Sequence, residues 1–141
     1  MVKLDKSAKQ KIVEAITQAE KLTRGEIRVH VQSKCSENTL RDTKKVFHRL
    51  KMHKTKERNA VLIFVALESR RFAILGDRGI HGRVGDDFWA RTRDTLVRHF
   101  SEGQILDGIV AGVMKVGDEL KKHFPHNGKN QNELSNEVTG S

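Results

Sequence analysis

The chain holds one cysteine, one proline and no tyrosine in 141 residues, and only 5% of it is aromatic. A lone Cys35 excludes an internal disulfide and a multi-cysteine zinc site. No base can be paired with it, so it reads as a packed or surface thiol rather than a nucleophile. No apolar run approaches the roughly 20 residues that span a bilayer. The opening Met1-Val2-Lys3-Leu4-Asp5-Lys6 has no apolar leader core. The expected location is therefore cytoplasmic. Scarce aromatics also leave few platforms on which nucleic-acid bases can stack.

Charge is what the chain has in quantity. Lysine and arginine number 27 against 18 acids, a net charge of +9. Hydrophobic residues make up 36% and charged residues 32%, which suits one small domain with a wet surface. The charge is uneven: Lys44, Lys45, Arg49, Lys51, Lys54, Lys56 and Arg58 face only Glu57 within residues 44–58. Such a segment permits contact with an anion or nucleic acid, but it equally describes a solvated helix face.

Periodicity gives the elements. Residues 5–22 read as an amphipathic helix on Ile12, Ile16 and Ala19, widened by Val13 and Leu22, with Asp5 or Ser7 as cap. Glu26 to Gln32 alternates: Ile27, Val29 and Val31 on one side, Arg28, His30 and Gln32 on the other, the pattern of a half-buried strand. A second helix is expected over about 38–50, with Leu40, Thr43, Phe47 and Leu50 on one face and Asn38 or Ser36 as cap. Ala60 to Leu67 is apolar throughout, as a central strand buried on both sides would be. Glu68-Ser69-Arg70 turns the chain into a third strand at Arg71 to Leu75. A third helix starts at Asp86 or Asp87, and a fourth runs over 104–124 until Pro125 stops it. Residues 1–125 thus make the domain, and 126–141 a polar tail expected to be flexible, with Leu134 and Val138 able to dock. The fold class is α/β: a three-layer α/β/α sandwich around a small mixed sheet with about four helices.

Strand polarity then points to a site. The strand–helix–strand unit makes the first two strands parallel, and the hairpin makes the third antiparallel. The start of strand one (Gly25-Glu26), the start of strand two (Arg58-Asn59) and the end of strand three (Gly76-Asp77) fall at one edge of the sheet. Asp86 and Asp87 follow a short loop from there. Glu26, Asn59, Asp77, Asp86 and Asp87 can converge, and carboxylates with an amide are oxygen donors suited to calcium, or to magnesium at tighter geometry. The plainer alternative is that Asp86 or Asp87 caps a helix and Asp77 holds a turn, with no metal.

At these residues the chain resembles the TPM domain family, named for a thylakoid lumen protein, a photosystem-II repair protein and a nematode receptor-associated protein. The resemblance spans roughly residues 4–125. It rests on Ala19-Glu20, Thr23-Arg24-Gly25-Glu26-Ile27-Arg28-Val29-His30-Val31, Met52-His53-Lys54-Thr55, Arg58-Asn59-Ala60-Val61-Leu62-Ile63, Gly76-Asp77-Arg78-Gly79-Ile80, Phe88-Trp89 and the closing Leu120 to Pro125. It implies a Rossmann-like α/β sandwich with a divalent-cation site, often calcium, at one sheet edge. Some members are described as acid phosphatases, and many are membrane or exported bacterial proteins; this chain resembles the stand-alone kind. Arg24 and Ala60 depart from the small polar residue and glycine common in related chains. The loop from Gly76 to Asp87 runs one residue longer than in membrane-anchored members, leaving Asp86 and Asp87 as alternative ligands.

Three functions compete. The first is a cation-binding domain with weak metal-assisted phosphatase activity, in which Arg58 and Arg78 clamp phosphate; no catalytic residue is identified. The second is a non-catalytic module that a protein partner reads. The third is nucleic-acid binding through residues 44–58, which the missing aromatics disfavour. The remaining histidines lack zinc-site spacing, and Trp89 is expected to anchor the core behind the acidic loop. The chain is expected to act as a monomer.

Overall fold

A three-stranded mixed sheet organises the chain, with order β1-β2-β3. The computed structural model describes residues 4–128 and 133–140. The elements are α1 (Lys6–Glu20), β1 (Glu26–Gln32), α2 (Thr39–Arg49), a 3-10 turn (Met52–Lys54), β2 (Ala60–Ala66), β3 (Arg71–Gly76), α3 (Arg78–His81), α4 (Asp86–Ser101) and α5 (Ile105–His123). Asp5 caps α1 by accepting from the Ala8 amide at 2.7 Å, and Asn38 caps α2 by accepting from the Arg41 amide at 3.0 Å.

β1 and β2 run parallel with Glu26 opposite Ala60, and β2 and β3 run antiparallel with Val61 opposite Gly76. Every residue of β2 is buried, because both its faces are covered. Ile27, Val29, Val31, Val61, Ile63 and Val65 pack toward α1, α4 and α5. Ala60, Leu62, Phe64 and Ala66 pack toward Val46 and Phe47 of α2 and Met52 of the 3-10 turn. The result is a three-layer α/β/α sandwich.

The structure adjusts four expectations. α3 is an additional four-residue helix in the Gly76–Asp87 loop, making five helices among the described residues. Leu40 is 48% exposed, since the buried stripe of α2 runs through Thr43, Val46 and Phe47. Arg28 and His30 of β1 are buried rather than solvated.

The fourth concerns the tail, and it explains the third. Residues 133–140 are not loose but lie along the outer edge of β1. Thr139 donates its amide to Val29 and its carbonyl accepts from Val31, at 3.0 and 2.9 Å. Leu134 and Val138 pack against the two apolar clusters. The Thr139 hydroxyl lies 2.9 Å from His30 Nδ1, and the His30 ring stacks on Phe64. An edge strand presents unpaired backbone groups, and this segment takes up two of them, the Val29 carbonyl and the Val31 amide. Tail residues 129–132 and 141 lie outside the described residues.

Candidate functional site

Strand polarity does gather three of the named side chains. The Glu26 amide donates to the Asn59 carbonyl at 3.3 Å, and the Asp77 amide donates to the Ala60 carbonyl at 2.9 Å. Glu26, Asn59 and Asp77 therefore share one rim of the sheet, exposed by only 3%, 1% and 7%. Buried polar groups need partners, so each carboxylate can be followed to its own.

Asp77 is held by Arg58. The guanidinium donates from Nε to Oδ2 at 2.8 Å and from Nη2 to Oδ1 at 3.2 Å. Asp77 Oδ1 also accepts from the Arg78 amide at 2.8 Å and so starts α3. Arg58 sits at φ +52°, a left-handed conformation that costs an L-residue about 1–2 kcal/mol. The rim is tight around it. A Cβ on Gly79 would lie 2.1 Å from the Glu57 carbonyl oxygen, so only glycine lets α3 approach this closely. Glu57 in turn pairs with Arg24, at 2.7 and 3.0 Å. On the other side Trp89 covers Gly76, whose Cβ would meet the indole at 2.3 Å. The same indole packs on the rings of Phe88 and His81. Trp89 is thus an anchor behind the loop.

Glu26 turns toward the tail, where its Oε1 accepts from the Leu134 amide at 2.8 Å. Burial pushes its carboxyl up to about 7. Glu20, at the end of α1, was not among the expected site residues. Its Oε2 accepts from the Ile27 amide at 3.1 Å, and burial together with the nearby Glu26 charge raises it to about 8. The only sequence signal was its place beside the buried Ala19, inside the Ala19-Glu20 motif. Asn59 donates its side-chain amide to the Arg24 carbonyl at 3.4 Å.

Asp86 and Asp87 form the exposed first turn of α4, after Gly85, which makes no side-chain cap bond. They differ in direction. Asp87 acts electrostatically on Arg91, which pairs with the buried Glu119 of α5 at 2.6 and 2.8 Å. Asp86 stands three residues before Trp89 and so shares the side of α4 that covers Gly76. Of the pair, Asp86 is the one on the rim side. Arg78, the first residue of α3, is exposed.

The oxygens of this rim suit a hard cation in kind. In arrangement they are spoken for: Asp77 by Arg58, Glu26 by the tail. Among the described residues no three His, Cys, Asp or Glu side chains come together to hold a metal ion. The basic segment spreads Lys44, Lys45, Arg49, Lys51, Lys54 and Lys56 over exposed positions of α2 and the turn after it. Phe47, the aromatic residue within it, is buried and offers no stacking face. No described helix is long and apolar enough to cross a membrane.

Comparison with known proteins places this geometry. Residues 3–119 match the TPM domain. The NMR structure of the BA42 protein from the psychrophilic bacterium Bizionia argentinensis is similar at a TM-score of 0.92 and 41% identity, over 98% of this chain and 95% of that one. The N-terminal domain of a protein from P. gingivalis shares the fold at a TM-score of 0.67 and 22% identity, over 89% of this chain and 83% of that one. The N-terminal domain of the cg2496 protein from Corynebacterium glutamicum does so at 0.66 and 16%, over 82% and 73%. No curated protein matches the chain.

Proposed function

Since the chain belongs to the TPM domain family, we propose that its rim is a divalent-cation site, calcium first and magnesium second, anchored on Asp77. One observation carries the reading: a carboxylate only 7% exposed at the sheet rim is neutralised by a guanidinium whose residue occupies a left-handed backbone conformation. Arg58 is a cation already standing on Asp77, and a divalent ion competes with it for the same two oxygens. Asn59 and Asp86 are the further donors on this side of the rim. Asp87 belongs to the Arg91 side, and Glu26 acts through the tail rather than as a free ligand. A bound divalent ion supplies a concentrated positive charge at the rim.

Arg58, once released, stands with the exposed Arg78 as a pair of guanidinium groups able to hold a phosphate. That supports binding of a phosphate-bearing ligand. No side chain named above is assigned as an attacking group, and binding of such a ligand is as far as the geometry carries.

Calcium titration followed by amide NMR tests it. Saturable shifts confined to residues 24–27, 57–60 and 76–88, abolished in Asp77→Asn, are the expected result. Arg58→Gln removes the competitor and is expected to tighten binding. Shifts spread over surface acids in general, unchanged in Asp77→Asn, would overturn the proposal.

A further inference from the structure

The opposite end of the sheet carries a second feature. A cavity of about 640 Å³ opens between the β2–β3 hairpin, the end of α4 and the start of α5. Small-molecule sites occupy about 300–1,000 Å³. Its apolar walls include Leu67, Phe72, Val97, Phe100 and Ile105. Phe72 and Phe100 meet edge-to-face with centroids 5.5 Å apart, giving it a fixed aromatic floor. Val97 is 53% exposed beside them, one of two large hydrophobic residues left so open among the described residues.

The polar edge has one sign. Among the described residues Arg70 and Arg71 line the cavity, and no carboxylate does. Arg71 donates to the Ser36 carbonyl at 3.0 Å. Arg70 is exposed, and among the described residues its side chain has no hydrogen-bond or ion-pair partner. Glu68, its nearest acid in sequence, is engaged by the Ser33 hydroxyl at 2.7 Å and by Lys34 at 3.8 Å. Arg70 also sits at φ +55°, in the hairpin position where glycine or asparagine relieves strain. A strained turn that keeps a free arginine at the mouth of an apolar cavity breaks a local rule without a structural return. The cavity ends at the start of α5, whose first turn already carries Asp107, so the positive charge at its mouth comes from the arginines rather than from the helix end.

From this charge complementarity we propose that the cavity binds an amphipathic carboxylate: a medium-chain fatty acid with its tail over Phe72, Phe100 and Val97 and its headgroup on Arg70. This site is independent of the cation rim.

The test uses the full chain and decanoate below its micellar concentration, followed by amide NMR. Saturable shifts at residues 65–72 and 97–105 are expected, with decanol and acetate each binding at least tenfold more weakly. Arg70→Asn removes the charge while suiting the left-handed turn. It is expected to lose at least tenfold in decanoate affinity while its melting temperature holds or rises. Val97→Trp, at an exposed position, is expected to block binding by filling the mouth. No saturable shift there, equal affinity for decanol, unchanged affinity in Arg70→Asn, or binding of an acidic peptide in place of decanoate would each overturn the proposal.

Discussion

Arg58 grips Asp77 through two hydrogen bonds, at 2.8 and 3.2 Å, from a residue in left-handed conformation. The two partners are not equally buried: the Asp77 side chain is 7% exposed and that of Arg58 30%. Removing one partner therefore has unequal consequences. In Arg58→Ala the carboxylate is left buried and unpaired. In Asp77→Ala the guanidinium can turn to water. Arg58→Ala is expected to have the lower urea midpoint of the two, although Asp77→Ala also loses the start of α3. Calcium is expected to restore part of the Arg58→Ala loss and none of the Asp77→Ala loss. Equal midpoints with no calcium effect would argue against both the burial asymmetry and the shared carboxylate.

Gly79 and Gly82 make a matched pair for probing the rim. A Cβ at Gly79 would come within 2.1 Å of the Glu57 oxygen and 2.6 Å of the Arg58 oxygen, both backbone atoms that cannot rotate away. Gly79→Ala must push α3 off the 57–58 loop and is expected to cost about 1–3 kcal/mol. Gly82 closes α3 at φ −76° with nothing among the described residues within 4 Å of its Cβ position. Gly82→Ala is expected to be neutral or stabilising by about 0.5 kcal/mol. Denaturant unfolding of both variants measures the contrast, and similar losses in both would mean that the close approach at Gly79 does not matter.

Much of this architecture was legible from spacing. The alternation over Glu26–Gln32 marks β1 to the residue, and the apolar run from Ala60 marks a strand covered on both faces. The shared rim of Glu26, Asn59 and Asp77 follows from strand direction alone. What escaped depends on contacts distant in sequence or on segments too short to be periodic. Arg-Gly-Ile-His of α3 is a single turn, and a single turn has no repeat to read. His30 looks like an outward polar residue until Thr139, 109 positions later, closes over it. Glu20 is an ordinary helix-end acid until the tail and Glu26 remove its water. Arg58 appears in sequence as a cation free for phosphate; that it folds back onto Asp77 is a property of the left-handed turn.

Arg91 and Glu119 couple α4 to α5 by the same logic of unequal burial. Glu119 is almost wholly buried and accepts both guanidinium bonds, while Lys115 and Lys122 stand further off at 3.8 and 3.4 Å. These partners hold its carboxyl below the usual range, the Arg91 hydrogen bond foremost. Arg91→Ala is expected to destabilise more than Lys115→Ala. Glu119→Gln is expected to be milder than Arg91→Ala, since no uncompensated buried charge remains. Thermal melts of the three variants rank the effects; a Lys115→Ala loss equal to that of Arg91→Ala would contradict the ranking.

Glu20 and Glu26 make stability depend on pH above neutrality. Their folded-state values of about 8 and about 7 lie above the ordinary 4.5, so the folded chain binds more protons than the unfolded chain between these limits. Stability from both groups is fully present below 4.5 and is lost as pH rises through about 7 and then about 8. The groups that face them, Glu133 and Asn136 of the tail and the amides of Ile27 and Leu134, give no compensating positive charge. His30 works with the opposite sign: burial lowers its pKa below 6.5, so its contribution is lost as pH falls. Its effect fades as pH rises past the ordinary 6.5 and has the opposite sign, so a net decline between pH 7 and 8.5 reports the two acids. Urea midpoints are expected to fall across that interval, with faster exchange of the Thr139 amide as the tail loosens from β1. Glu20→Gln is expected to flatten the fall, because the uncharged amide removes the larger of the two raised groups. A midpoint that stays level from pH 7 to 8.5 in the unaltered chain would mean that these carboxylates are not buried together beneath the tail.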